Sequence, residues 1–302
     1  MSKVVIVGSG NVGSCTAQTL ALRGQFGDVV LVDKRAARAH AEADDLMCAL
    51  PRMGSHGVVR AGAYEDCADA DAVVICAAAP ARLGQTRNDM FLKNAQIVRD
   101  VVDSVEQVGF AGLYVMVSNP VDLLAHLVTH ELGIPADRVV GTGTVLDTLR
   151  LEDCARGRFG TERDVIALAL GEHGEGLVVD WGSTLVDGRP VPDEDREPLR
   201  RAAIDSAYDI MKGKGSTSYG IAYAVSLILE SWSSRDGRLL PLSVPAGGEF
   251  GIGDMTLSLP ASFDCDGVPR IARVSLDAST VERLGEVAGE MAEFYRCATS
   301  DE

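Results

Sequence analysis

The first half of the chain alternates apolar runs with stretches of helical period. "KVVIVG" (3–8), "DVVLVD" (28–33), "DAVVICAAA" (71–79) and "GLYVMVSNP" (112–120) are near-continuous apolar runs, and each predicts a strand. Between them, "NVGSCTAQTLALRG" (11–24), "KRAARAHAEADDLMCAL" (34–50) and "NDMFLKNAQIVRDVVDSVEQVG" (88–109) read as helices, and "VDLLAHLVTHEL" (121–132) adds a fourth. Strands that are apolar throughout have both faces buried, and helices between them supply the cover. The pattern predicts an α/β fold, a doubly wound parallel sheet.

The second half has a different rhythm. A helix over about 144–159 leads into "DVIALALGEHG", and "LVVDWGSTLVDGRPV" alternates and turns like antiparallel strands. Helices follow near 195–212 and 217–232, then short strands near 240–246, 255–260 and 269–275, and a last helix over 277–297. "DGRPVPDEDREP" (187–198) is the most loop-like stretch and reads as a solvated surface segment. Strands grouped apart from helices predict a second, α+β domain. The boundary falls at "GTG" (141–143), giving units 1–142 and 143–302.

Composition narrows the function classes. The 302 residues can bury a sizeable core, with 46% apolar and 24% charged residues. A net charge of −16 argues against nucleic acid or an anionic membrane as partner, since both require a basic face. A few arginines can still form one positive pocket for a small anion. "MSKVVIVGSG" lacks a signal peptide's apolar segment, so a cytoplasmic protein is expected. Seven scattered cysteines without a Cys-x-x-Cys pair read as reduced thiols. His126 and His130 have the i, i+4 spacing of a zinc helix, but Leu127 stands where a metalloprotease needs glutamate, and no metal is expected.

The candidate chemistry begins at "VVIVGSGNVGS". Gly8, Gly10 and Gly13 have the G-x-G-x-x-G spacing between a strand and a helix, and Asp33 ends the next strand twenty residues after Gly13. Such glycines let backbone approach a pyrophosphate at a helix N-terminus. Asp33 would accept bonds from ribose hydroxyls and repel a 2′-phosphate, so NAD is favoured over NADP. His173 sits in a glycine-rich turn after an apolar run, "ALALGEHGE". In "GTGTVLDTLR", Asp147 and Arg150 share a helix face at i, i+3, though Thr144 and Asp147 also fit a helix-capping pattern. "PARLGQTR" (80–87) places two arginines around Gly84.

With "VSNPVD" and "KGSTSYGIA", these stretches occur in the order found in the L-lactate/L-malate dehydrogenase family, which the chain resembles along nearly its whole length. Its "GTGTVLDTLR" and "KGSTSYGIA" look closer to the lactate branch. The resemblance implies an NAD-dependent oxidoreductase moving a hydride between the cofactor and C2 of a 2-oxo or L-2-hydroxy acid. It makes His173 the acid/base, Asp147 its partner, Arg150 the carboxylate clamp and Arg87 the group that polarises the reacting carbonyl. It also places Asn119 between nicotinamide and the reacting centre, Thr217 on the pocket wall, and Gly8, Gly10, Asn11, Val12, Gly13 and Asp33 on the cofactor. A homodimer or homotetramer is implied as well.

Three departures carry expectations of their own. Cys76-Ala77-Ala78 replaces a threonine-alanine-glycine run found in many members. Glu152 and Ile166 stand where enzymes activated by fructose bisphosphate have arginine and histidine, so no such activation is expected. Six residues before Arg87, where lactate enzymes carry glutamine and malate enzymes arginine, this chain has Ala81, followed by Arg82. Ala81 leaves room for a 2-oxo acid bulkier than pyruvate. Arg82 turning inward would instead suit a dicarboxylate, and plain L-lactate dehydrogenase activity is the third reading. NAD-dependent glycosidases share this type of cofactor domain but are longer and bind a metal through cysteine and histidine, for which the chain offers no convincing cluster. A non-catalytic NAD sensor would have no reason to keep His173, Asp147, Arg150 and Arg87 together.

Overall fold

The computed structural model describes residues 2–79 and 87–300, with the side chains of 87–89 outside the description. The first half forms β1 (Lys3–Val7), α1 (Asn11–Arg23), β2 (Asp28–Val32), α2 (Ala36–Ala49), β3 (Val58–Ala61), β4 (Ala72–Ile75), α3 (Arg87–Glu106), β5 (Leu113–Met116), α4 (Val121–His130) and β6 (Val139–Gly141). Its strands are parallel and ordered β3-β2-β1-β4-β5-β6. The inner strands β1, β4 and β5 are buried almost end to end because helices cover both faces of the sheet. This is the doubly wound fold expected from the apolar runs.

The second half contributes α5 (Val145–Phe159), β7 (Val165–Ile166), β8 (Ala169–Gly171), β9 (Leu177–Val179), β10 (Leu185–Val186) and β11 (Arg189–Pro190). It continues with α6 (Asp193–Lys214), α7 (Tyr219–Ser234), β12 (Leu240–Ala246), β13 (Met255–Phe263), β14 (Pro269–Ile271) and α8 (Ala278–Thr299). β12 pairs antiparallel with β6 through Ser243 and Gly141. The sheet therefore runs on through β12-β13-β8-β9, with β14 beside β13. A small sheet of β11, β10 and β7 stands apart. The main core draws on both halves, from Val4 to Leu259 and Met291, and a second cluster around Leu151, Val165 and Leu199 lies between α5, α6 and the small sheet.

One stretch differs from the sequence reading. Residues 187–198 are not a loop: they hold the tight turn at Asp187–Gly188, β11, and the start of α6. Asp193, Glu194 and Asp195 occupy the helix's first turn, where carboxylates oppose the positive end of the dipole. Pro198 lies inside the helix, removing one N–H from its ladder. High polarity gave the segment a loop's appearance, while its acidic residues were marking a helix start.

The parallel strands all end on one side. Gly8–Gly10, Asp33, residues 76–79 and Ser118–Pro120 follow the carboxyl ends of β1, β2, β4 and β5, where open α/β sheets bind ligands.

Candidate active site

At the end of β1, the three glycines have different physical reasons. Gly8 adopts φ +101°, and a Cβ there would stand 2.7 Å from the Ala77 nitrogen, so this turn closes against the chain leaving β4. A Cβ on Gly13 would overlap the Gly8 carbonyl oxygen, so glycine is what lets α1 sit on the strand end. Gly10 has no atom within 4 Å of its Cβ position. It faces open space at the N-terminus of α1, which has neither a side-chain cap nor an acidic residue in its first turn. The first backbone N–H groups of the helix, from Asn11, Val12 and Gly13, are thus available to an anion.

Asp33 completes this end. One carboxylate oxygen accepts bonds from the backbone N–H and hydroxyl of Ser9, both at 3.0 Å, and the other accepts the Arg35 N–H at 2.9 Å. Burial pushes its pKa up, but these bonds outweigh that and hold it below the usual carboxylate range. A carboxylate has about four lone-pair sites, so room remains for a ribose hydroxyl. These residues fit NAD. Gly10→Ala is expected to leave the melting temperature unchanged while weakening NADH at least about tenfold, because its methyl meets cofactor rather than protein. NADH titration followed by fluorescence checks this, and unaltered affinity would move the pyrophosphate elsewhere.

The catalytic candidates come together on α5 and the turn after β8. His173 Nδ1 lies 2.6 Å from Asp147 Oδ2, and Arg150 Nη1 lies 3.4 Å from Asp147 Oδ1. The Asp147 and Arg150 side chains are 4% and 10% exposed, and His173 is 26% exposed. Asp147's negative charge beside His173 raises the imidazole pKa above its usual value, against burial, which lowers it. Burial works to raise Asp147, but His173 and Arg150 together hold it below the usual range. With Nδ1 committed to Asp147, Nε2 is the ring nitrogen left for a substrate. Arg150 makes no other hydrogen bond among the described residues, which leaves most of its guanidinium available.

Polar residues to which the sequence assigns other roles or none fix this geometry. Thr144 does not cap α5; its hydroxyl donates to the Ala169 carbonyl at 2.7 Å, and the Ala169 N–H donates to the Thr148 hydroxyl at 3.2 Å. Two bonds to one residue of β8 thus tie the helix carrying Asp147 to the strand leading to His173. Buried Asn94 donates to the Asn119 carbonyl at 2.7 Å and accepts the Ala79 N–H at 2.8 Å, holding two strand ends together. The Asn119 side chain is exposed at the end of β5. Asn11 donates to the Ser216 hydroxyl at 3.0 Å, joining the glycine turn to the segment bearing Thr217.

Arg150 and Thr217 line a cleft of about 590 Å³ with Leu146, Leu149, Tyr219 and Tyr223. His173 and Asn119 are not among its lining residues. Ala81 and Arg82 lie outside the described residues; Arg87 begins α3, and its side chain lies outside them too. In the Cys76-Ala77-Ala78 segment, burial pushes the Cys76 thiol up to about 12, so it is inert, while Ala77 closes against Gly8. Glu152 and Ile166 line a mostly apolar cavity of about 340 Å³ along α5, and Glu152 and Leu149 also line the Arg150 cleft. The rings of His126 and His130 stack with centroids 4.8 Å apart, and His130 pairs with Asp254 at 3.3 Å. Among the described residues, no group of three or more His, Cys, Asp or Glu could hold a metal, and no helix is long and apolar enough to cross a membrane.

Comparison with known proteins covers the whole arrangement. Residues 2–141 match the model of the lactate/malate dehydrogenase NAD binding domain, and residues 144–301 that of the lactate/malate dehydrogenase alpha/beta C-terminal domain. An L-lactate dehydrogenase of Staphylococcus epidermidis is 35% identical over 303 residues, covering 97% of this chain and 96% of that protein. One from Nitratidesulfovibrio vulgaris is 36% identical over 294 residues, covering 93% and 94%. The ligand-bound minor L-lactate dehydrogenase of Enterococcus mundtii superposes with a TM-score of 0.92 at 33% identity, covering 98% of each chain. The malate dehydrogenase of Archaeoglobus fulgidus in complex with NADH gives 0.90 at 27% identity, covering 98% of this chain and 99% of the other.

Proposed function

The chain belongs to the lactate/malate dehydrogenase family and is an NAD-dependent 2-hydroxy acid dehydrogenase, and from that premise we propose that it reduces a 2-oxo acid bulkier than pyruvate to its L-2-hydroxy acid. The observation that carries the reaction is the 2.6 Å contact between His173 and Asp147 beside the guanidinium of Arg150.

NADH, when bound, supplies a hydride to the substrate's C2. His173 gives the Nε2 proton to the carbonyl oxygen, so that the carbonyl becomes a hydroxyl. Asp147 fixes the ring's tautomer and stabilises its charged form. Arg150 grips the substrate carboxylate with two parallel N–H bonds. Arg87 polarises the carbonyl as negative charge develops on its oxygen. Asn119 and Thr217 flank the reacting centre, with Gly8, Gly10, Asn11, Val12, Gly13 and Asp33 on the cofactor. In reverse, neutral His173 takes the hydroxyl proton as hydride leaves C2.

The division of labour follows the chain: 1–142 binds the dinucleotide and 143–302 carries the acid/base and clamp. A homodimer or homotetramer in the cytoplasm completes the reading. Fructose bisphosphate is expected to leave activity unchanged, because Glu152 sets a carboxylate against any phosphate where activated enzymes have arginine.

Substrate choice rests on Ala81. Alanine offers a distal carboxylate no partner, and burying one there costs several kcal/mol. An apolar side chain instead gains about 0.8 kcal/mol per buried methylene, roughly fourfold in kcat/KM. A branched or aromatic 2-oxo acid is therefore expected to outrun pyruvate. The measurement is kcat/KM for pyruvate, 2-oxoisocaproate, phenylpyruvate and oxaloacetate, in wild type and Arg82→Ala. If oxaloacetate is best and Arg82→Ala abolishes that preference, Arg82 reads a dicarboxylate and the proposal for Ala81 fails.

A further inference from the structure

A second carboxylate grips the catalytic turn from behind. Asp122, the last residue of "SNPVD" and the second of α4, is 2% exposed. Its Oδ2 accepts the backbone N–H of His173 at 3.0 Å. Its Oδ1 meets the hydroxyls of Ser243 on β12 and Ser258 on β13, the latter at 3.3 Å. Both serines are fully buried. A Cβ on Gly141 would stand 2.6 Å from the Ser243 Cβ, and one on Gly143 would stand 2.6 Å from the Ser258 hydroxyl. The glycines of "GTG" are therefore what make room for the two serines. Two strands and the histidine turn converge on one buried carboxyl group, one of whose oxygens accepts the histidine's backbone N–H.

We propose that Asp122 is a positioning residue for His173, holding its backbone in register with Asp147 and keeping the imidazolium charged through a second negative charge. The inference rests on the assignment of His173 as acid/base. Burying a carboxylate is costly, and the three hydrogen-bonding groups around Asp122 offset that cost. Burial still pushes its pKa above the usual range, with the serine hydroxyls, the His173 N–H and the histidine's charge acting against it. Among the described residues, the charged groups facing His173 are Asp147 and Arg150 from α5 and Asp122 from α4; the two carboxylates favour the imidazolium and Arg150 opposes it. β12 and β13 add only neutral serines.

Asp122→Asn separates charge from shape. Asparagine's oxygen accepts the His173 N–H, and its amide donates to the serine hydroxyls, so the turn stays anchored while the charge goes. The test is the pH profile of kcat/KM for 2-oxo acid reduction, with the His173 ring titration by NMR as a second readout. Asp122→Asn is expected to move both midpoints to lower pH by about one unit, with the acidic plateau kept. Asp122→Ala moves them likewise and lowers the plateau about tenfold or more, because the turn loses its anchor. If Asp122→Asn does not fold, Asp122→Ser takes its place: it removes the same charge while its hydroxyl can still bond Ser243 and Ser258, and both midpoints are expected to move the same way. Midpoints that stay at the wild-type value overturn the proposal and leave Asp122 a structural bracket. A wild type that reduces no 2-oxo acid overturns the functional reading instead.

Discussion

His173→Asn is expected to lower kcat for 2-oxo acid reduction by roughly two to four orders of magnitude, the usual size for loss of a general acid. NADH affinity should hold, because the glycine turn and Asp33 are built from β1, α1 and β2 and share no contact with the His173 ring. Asparagine can keep a hydrogen bond to Asp147, so the fold is preserved while proton transfer is lost. The wild-type pH profile follows from the same pair. Asp147 raises the His173 pKa above its usual 6.5, so imidazolium persists further into the neutral range. With His173 as the proposed acid, reduction needs the protonated ring, so kcat/KM is expected to be flat on the acid side and to fall as pH rises through the raised pKa. Oxidation of the hydroxy acid needs the neutral ring and rises across the same interval. Steady-state kinetics of both directions check the two statements, and unchanged turnover in His173→Asn would remove this residue from the mechanism.

Arg150→Lys is the second large effect. Lysine keeps the charge but presents a point ammonium instead of a planar fork. The substrate carboxylate is held equally in ground and transition states, so the loss falls mainly on KM, which is expected to rise on the order of tenfold to a hundredfold. Arg150 also contacts Asp147 at 3.4 Å, and the shorter lysine gives up that support. A modest fall in kcat accompanies the KM change as the His173–Asp147 pair loosens. The check is KM across several 2-oxo acids, since the carboxylate is common to all of them. A KM within a factor of two of wild type would place the carboxylate on another group.

The sequence made visible whatever repeats or stands on a period. β1, β2, β4 and β5 are apolar on both faces, and α5 carries Asp147 and Arg150 one turn apart. The strand β3 escaped notice because it is a half-exposed edge strand whose apolar run is broken by Arg60, and β6 because it is only three residues long. The site's supports were silent for another reason. Asp122 meets Ser243 and Ser258 across 121 and 136 residues of chain, and Asn11 meets Ser216 across 205. No local pattern records a hydrogen bond between residues so far apart. Ser9, Asn94 and Thr148 likewise look like ordinary polar residues until the fold brings a partner to each, and Thr144 looks like a helix cap until the fold gives it Ala169. The resemblance to a family supplied roles for His173, Arg150 and Arg87; the structure supplies the distances for the first two.

The pairing of Gly141 with Ser243 bears on how far this enzyme can be treated as interchangeable parts. A cut at the junction of the two halves would strip β12 from β6 and leave a raw sheet edge with unpaired amides, and it would uncover the side of α4 that packs on β12 and β13. The isolated cofactor half would be prone to aggregate. A chimera grafting that half onto a relative's catalytic half must carry over the glycines of "GTG" together with Ser243 and Ser258, or the seam will not close. The two halves are thus not separable parts, because the seam closes only with residues drawn from both.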